Sequence, residues 1–144
     1  METFCDWFQK TKCPGREEVK MIDVSDLLET KFAYSGKGPE YYDCWTLIVE
    51  ILRRMGKTAP DFPPPASCEE RVKLFQKRVK NATQLEKPEE GCIVLFENIP
   101  GNTHCGIMID SIRFIHMYPD YGVLIEPVNG DWWKHRVIGF YRMP

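Results

Sequence analysis

Gly91-Cys-Ile-Val-Leu-Phe96, Thr103-His-Cys-Gly-Ile-Met-Ile109 and Arg113-Phe-Ile-His-Met-Tyr118 are short runs rich in Ile, Val, Phe and Tyr. Gly, Pro, Asn and Asp separate them, which is the punctuation of strands joined by tight turns. Together with 122–127 and 137–142 they predict five strands, over 92–96, 104–109, 112–117, 122–127 and 137–142, paired antiparallel. Upstream the period changes. Cys44, Leu47, Ile48, Ile51 and Met55 recur at helical spacing, with Glu50, Arg53 and Arg54 off that stripe, Asp43 as N-cap and Gly56 as stop. The spacing predicts a helix over 43–55.

Working outward, Tyr34 to Tyr42 holds two glycines and a proline and reads as a loop leading into that helix. A short helical stretch follows Ser25, and Phe4, Trp7 and Phe8 suggest an amphipathic start. Pro60 to Pro65 reads as a stiff extended connection, and Ser67-Cys-Glu-Glu70 as a capping box opening a second helix to about Val79. Helices first and strands afterwards predict an α+β domain, with helices on one side of an antiparallel meander or small barrel.

The 144 residues fit one domain spanning 1–144. Apolar residues make up 43% and charged residues 28%, which excludes disorder as a description of the whole chain. The 19 Lys and Arg against 21 Asp and Glu are scattered, without the basic stripe of a nucleic-acid binder. The first residues hold no apolar export signal, and no run is long enough for a membrane-spanning helix. Six cysteines at irregular intervals, with no C-x-x-C, argue against a structural zinc site; most read as reduced.

Any Cys–His site must draw on His104, His116 or His135, the three histidines present. Cys44 falls in the first helical turn, where backbone N–H groups and the helix dipole favour a thiolate. The same position suits a small core residue, since cysteine is among the most buried types. His104 opens a strand whose Gly106, two positions on, leaves room on the same face. If the strands carrying His104 and His116 form a hairpin, an even register sum puts both on one face. His104 would then be a base for Cys44 and His116 the residue that orients it. His135, in a polar segment after Trp132-Trp133-Lys134, reads as a surface residue. Cys105 should point to the face opposite His104.

The order Asp43-Cys44-Trp45-Thr-Leu47, Gly91-Cys-Ile-Val-Leu-Phe96, His104-Cys-Gly-Ile-Met-Ile109 and Ile115-His116, followed by Gly122-Val123, resembles the NlpC-type cell-wall peptidases, which are papain-like cysteine hydrolases. The similarity runs over residues 31–142, leaving 1–31 as a short N-terminal extension to a core over 32–142. Gly36 to Pro39 and Cys44-Trp45 are most similar to the branch found in phage tail proteins. The resemblance implies a Cys44 nucleophile at a helix N-terminus, a His104 base and His116 as third polar residue. It also implies hydrolysis of stem peptides of bacterial peptidoglycan through an acyl-enzyme, without metal or cofactor, with the backbone N–H of Cys44 at the oxyanion.

Three positions depart from the family pattern. The tyrosine expected before the glycine loop aligns with Phe32, with Tyr34 two residues away. Cys92 replaces the Asp after Gly91, and Trp45-Thr46 replaces the small residues after the nucleophile. Phe32, Tyr34, Asp43 and Trp45 are the candidate substrate contacts, and Pro60–Pro65 and Trp132-Trp133 the candidate groove walls. With no export signal, the expected location is the cytoplasm of the producing cell or a phage virion tail, the partners being the stem peptide and other tail proteins. Two rival readings are a catalytically inactive tail-assembly protein of the same fold and a Cys44/His104/His116 zinc site.

Overall fold

The computed structural model describes residues 23–58, 70, 74, 82–99 and 102–144. A 3-10 turn at Ser25–Leu27 comes first, followed by β1 (Lys31–Phe32), β2 (Tyr41–Tyr42) and α1 (Cys44–Arg54). Then come β3 (Thr83–Leu85), β4 (Ile93–Ile99), β5 (Asn102–Met108), β6 (Arg113–Tyr118), β7 (Gly122–Pro127) and β8 (Val137–Arg142). The helix-then-strand order is the expected one, and all five predicted strands are present. Among the described residues one complete α-helix, α1, packs on the sheet. Of the predicted second helix, only Glu70 and Leu74 are described, both helical. Ser67, the Pro60–Pro65 connection and Phe4, Trp7 and Phe8 lie outside the described residues.

α1 starts where a capping box dictates. Oδ1 of Asp43 accepts from the N–H groups of Trp45 and Thr46 at 3.0 and 2.8 Å, and the Thr46 hydroxyl accepts the Asp43 N–H at 2.8 Å. Oδ2 takes the Ser35 N–H at 3.0 Å, which pins the glycine loop to the helix start. The helix ends in a Schellman motif: Gly56 sits at φ +71°, its N–H bonds to the Arg53 carbonyl and that of Lys57 to the Leu52 carbonyl. Trp45 and Leu52 are buried alongside Cys44, Leu47, Ile48 and Ile51, so the apolar face is wider than the predicted stripe. Arg54 ties α1 to the 3-10 turn through Asp26 at 2.7 Å.

β1 and β2 form a small parallel pair. The main sheet has the order β3-β8-β4-β5-β6-β7, every pairing antiparallel. β4 to β7 form a meander, and β8 returns beside β4. Strand alternation divides the core in two. Ile93, Leu95, Cys105, Ile107, Ile115 and Met117 pack under α1. Cys92, Val94, Phe96, Met108 and Phe114 face the other way, with Trp133 and Val128 over them.

Candidate active site

β5 and β6 pair Ile107 with Ile115 and Met108 with Phe114, an even sum. His104 and His116 therefore share a face, as the hairpin argument requires. Nε2 of His104 lies 2.7 Å from Nδ1 of His116, a direct hydrogen bond between buried rings. Gly106 makes room for it, because a Cβ there would stand 2.7 Å from Phe114 Cδ2, 3.1 Å from the Ile115 carbonyl oxygen and 3.4 Å from His116 Cβ. The pair continues into a residue that sequence reasoning missed. Nε2 of His116 is 2.6 Å from Oε2 of Glu126, and the same oxygen accepts the indole N–H of Trp133 at 3.0 Å. β7 pairs Glu126 with Phe114 and Leu124 with His116, so Glu126 is the diagonal neighbour of His116 on that face. A lone acid in Gly122-Val-Leu-Ile-Glu-Pro127 was the available signal, and it acquires meaning only through the registers of three strands.

Trp133 is 3% exposed, and its ring stacks near-parallel on His104 with centroids 5.8 Å apart while meeting His116 edge-on at 5.3 Å. Phe96, opposite His104 in the β4–β5 ladder, lies near-parallel to it with centroids 6.3 Å apart and touches Trp133. Burial is the main reason both imidazoles are held well below the ordinary histidine pKa, and a positive charge on His116 would lower His104 further. At neutral pH both rings are neutral, the state a general base needs.

Cys44 is the first residue of α1 and is buried. The thiol of Cys105 donates to its carbonyl oxygen at 3.6 Å, which sets the helix start against β5 one residue from His104. Cys105 points to the helix side and His104 away from it, as alternation predicts. The sulfur of Cys44, expected as a free thiol, is instead in a disulfide. Cys92 and Cys105 stand outside any disulfide, and burial pushes the Cys92 thiol up to about 11, which makes it inert. Cys5, Cys13 and Cys68 lie outside the described residues.

The four candidate substrate contacts separate by exposure. Tyr34 is exposed, and Phe32 is half-buried with its ring edge-on to Tyr34 at 6.2 Å. Asp43 is buried, with both carboxylate oxygens engaged in the helix cap and the Ser35 bond. Trp45 is 1% exposed and belongs to the core under the sheet, because it continues the buried face of α1. The tryptophan pair splits: Trp132 is exposed beneath the Arg136 guanidinium at 3.9 Å, while Trp133 is core. His135 is exposed, as expected. Among the described residues, no three His, Cys, Asp or Glu side chains converge as metal ligands. None of the described helices is long and apolar enough to cross a membrane.

Among solved structures, the chain is similar to NlpC2 from Trichomonas vaginalis, at 18% identity and a TM-score of 0.61. The match covers 83% of this chain and 45% of that one, so this chain spans less than half the length of that relative, and the likeness is one of fold. No curated protein matches by sequence. The model of the NlpC/P60 family matches residues 29–142, from just before β1 to the last residue of β8, and takes in α1 and every strand of the main sheet. By that match the chain belongs to the NlpC/P60 family, whose members are generally cysteine peptidases and amidases acting on cell-wall peptides.

Proposed function

We propose that this chain is a cysteine hydrolase that cleaves peptide bonds in the stem peptides of bacterial peptidoglycan, with Cys44 as nucleophile, His104 as base and His116 as its orienting partner. The observation that carries it is the buried 2.7 Å His104–His116 bond, on the strand against which the N-terminus of the Cys44 helix packs. In the reduced protein the Cys44 thiolate attacks the scissile carbonyl carbon, and its backbone N–H, in the first helical turn, stabilises the oxyanion. The C–N bond breaks as the amine takes a proton from His104. A water deprotonated by His104 then hydrolyses the thioester. The similarity of Gly36–Pro39 and Cys44-Trp45 to the phage-tail branch extends the proposal to a tail component, and finding the chain in purified virions would support that part.

The disulfide at Cys44 favours one other reading, a tail-assembly protein of the same fold without turnover, in which Cys44 is structural. Stem-peptide hydrolysis by the full chain, followed by mass spectrometry with and without a dithiol reductant, separates the two. The hydrolase reading expects turnover only after reduction, lowered about a thousandfold or more by Cys44→Ala or His104→Ala assayed under the same reducing conditions. A reduced chain that cleaves none of a panel of stem peptides, with Cys44 alkylated no faster than Cys92, establishes the structural reading.

A further inference from the structure

The side chain of Glu126 sits where the general Cys–His scheme needs no residue, at the far end of the His104–His116 pair. One oxygen of Glu126, Oε2, accepts the indole N–H of Trp133 at 3.0 Å and lies 2.6 Å from Nε2 of His116. An indole nitrogen only donates, and an ionised carboxylate only accepts. Proton positions along the whole chain follow from those two facts. His116 must carry its hydrogen on Nε2 to donate to Glu126. Burial keeps that ring neutral, so its Nδ1 is bare and can only accept. Nε2 of His104, 2.7 Å from that bare nitrogen, must then be the protonated one. A neutral His104 with its hydrogen on Nε2 has its lone pair on Nδ1, and Nδ1 has no hydrogen-bond partner among the described residues.

We propose that Glu126, steadied by the indole N–H of Trp133, is a positioning residue that fixes the tautomers of His116 and His104 so that Nδ1 of His104 is the basic nitrogen. The proposal rests on the reading of His104 as base and His116 as its orienting partner. Without an acceptor at Glu126, His116 can place its hydrogen on Nδ1 and donate to His104. The hydrogen of His104 then moves to Nδ1, and the nitrogen needed to take a proton from the thiol is blocked. Register and packing explain why the acceptor is well held. Glu126 is fixed by the β6–β7 ladder opposite Phe114, and the Trp133 ring is set by a turn in which its own N–H bonds to the Gly130 carbonyl.

The test is nitrogen–proton correlation NMR on the imidazoles of the full reduced chain at neutral pH, which reads the protonated nitrogen in each ring without substrate. Wild type should show His104 and His116 both protonated on Nε2. Glu126→Gln keeps an acceptor oxygen for both donors and should keep those tautomers. Glu126→Ala should lose them, with hydrogen appearing on Nδ1 of both rings, and the alkylation rate of Cys44 should fall about a hundredfold, with Glu126→Gln recovering most of it. Trp133→Phe, which removes only the N–H donor, should give an intermediate result. Hydrogen on Nδ1 of His104 in wild type overturns the proposal, as do unchanged tautomers in a folded Glu126→Ala. Should Glu126→Ala fail to fold, the wild-type, Glu126→Gln and Trp133→Phe spectra still decide. Absence of stem-peptide cleavage in every variant, with the expected tautomers present, would instead count against the hydrolase reading.

Discussion

The two faces of the main sheet are built from adjacent residues and do opposite work. Under α1, Leu95, Cys105, Ile107, Ile115 and Met117 make an apolar layer that holds the helix and places Cys44 beside β5. On the other face, one position along each strand, Phe96, Phe114 and Trp133 enclose the chain His104–His116–Glu126. A slip of one residue in the β5–β6 register would turn β6 over relative to β5, carrying His116 under the helix and leaving Ile115 beside His104. The difference teaches that the apolar face fixes the register, and the register then assembles the site. A buried polar chain like this one is stable only when each member has its partner.

The sharpest test replaces neighbours on β4. Leu95 and Phe96 are both fully buried, so Leu95→Ala and Phe96→Ala should each lower unfolding stability substantially, by about 2–5 and about 3–5 kcal/mol, measured by urea denaturation. Function should tell the faces apart. Phe96 meets Trp133 at a tilt with centroids 4.7 Å apart and stacks toward His104 at 6.3 Å, so its loss should slow alkylation of Cys44 well beyond any effect of Leu95→Ala at matched stability. Equal effects on alkylation would mean that the faces are not separable in this way.

A smaller effect is expected at Gly106. An added methyl would meet backbone at the Ile115 carbonyl as well as the Phe114 ring, so little can give way. Gly106→Ala should destabilise by about 1–3 kcal/mol through overpacking. It should also disturb the His104–His116 bond, visible as broadened imidazole resonances. A Gly106→Ala chain as stable as wild type, with unchanged imidazole signals, would show that the strands at this point are not held as close as the ladder implies.

How much of this was legible in the sequence depends on how far apart the cooperating residues lie. α1 was legible because period, cap and stop sit within one segment, and its start at Cys44 after Asp43 follows from that local chemistry. The shared face of His104 and His116 was legible as a parity argument within one hairpin. Glu126 was not, since it lies two strands from His104 and joins the site only through His116 on β6, and its neighbours in sequence are apolar. β1, β2 and β3 are too short for any period to register. Trp132 and Trp133 look alike as a dipeptide, and only the turn at Gly130 sends one to solvent and the other onto His104. Trp45, expected as a substrate contact, lies on the buried face of α1 because that face is wider than the five-residue stripe. Cysteine pairing cannot be deduced from spacing, so the disulfide of Cys44 was out of reach.

Acid acts on one face only. Burial lowers the pKa of His104 and His116 below the unfolded value of about 6.5. Above that value both rings are neutral folded or unfolded, and the pair contributes its full stability. As pH falls below about 6.5 the unfolded chain binds protons that the native chain refuses, so stability decreases with acidification until the lower folded values are reached. Each imidazole contributes a slope of up to about 1.4 kcal/mol per pH unit within that window. The ion-paired carboxylates of Asp26, Glu50 and Glu89, whose pKa values are lowered mainly by their arginine partners, weaken only at still lower pH. Between about pH 6.5 and 4.5 the loss should therefore be dominated by the histidine face. Urea midpoints across that window should fall for wild type and fall less steeply for His116→Gln, which keeps a polar side chain but removes one titrating ring. A flat wild-type profile would mean that the histidines take up protons in the native state, and then neither the neutral base nor its tautomer is held by the fold.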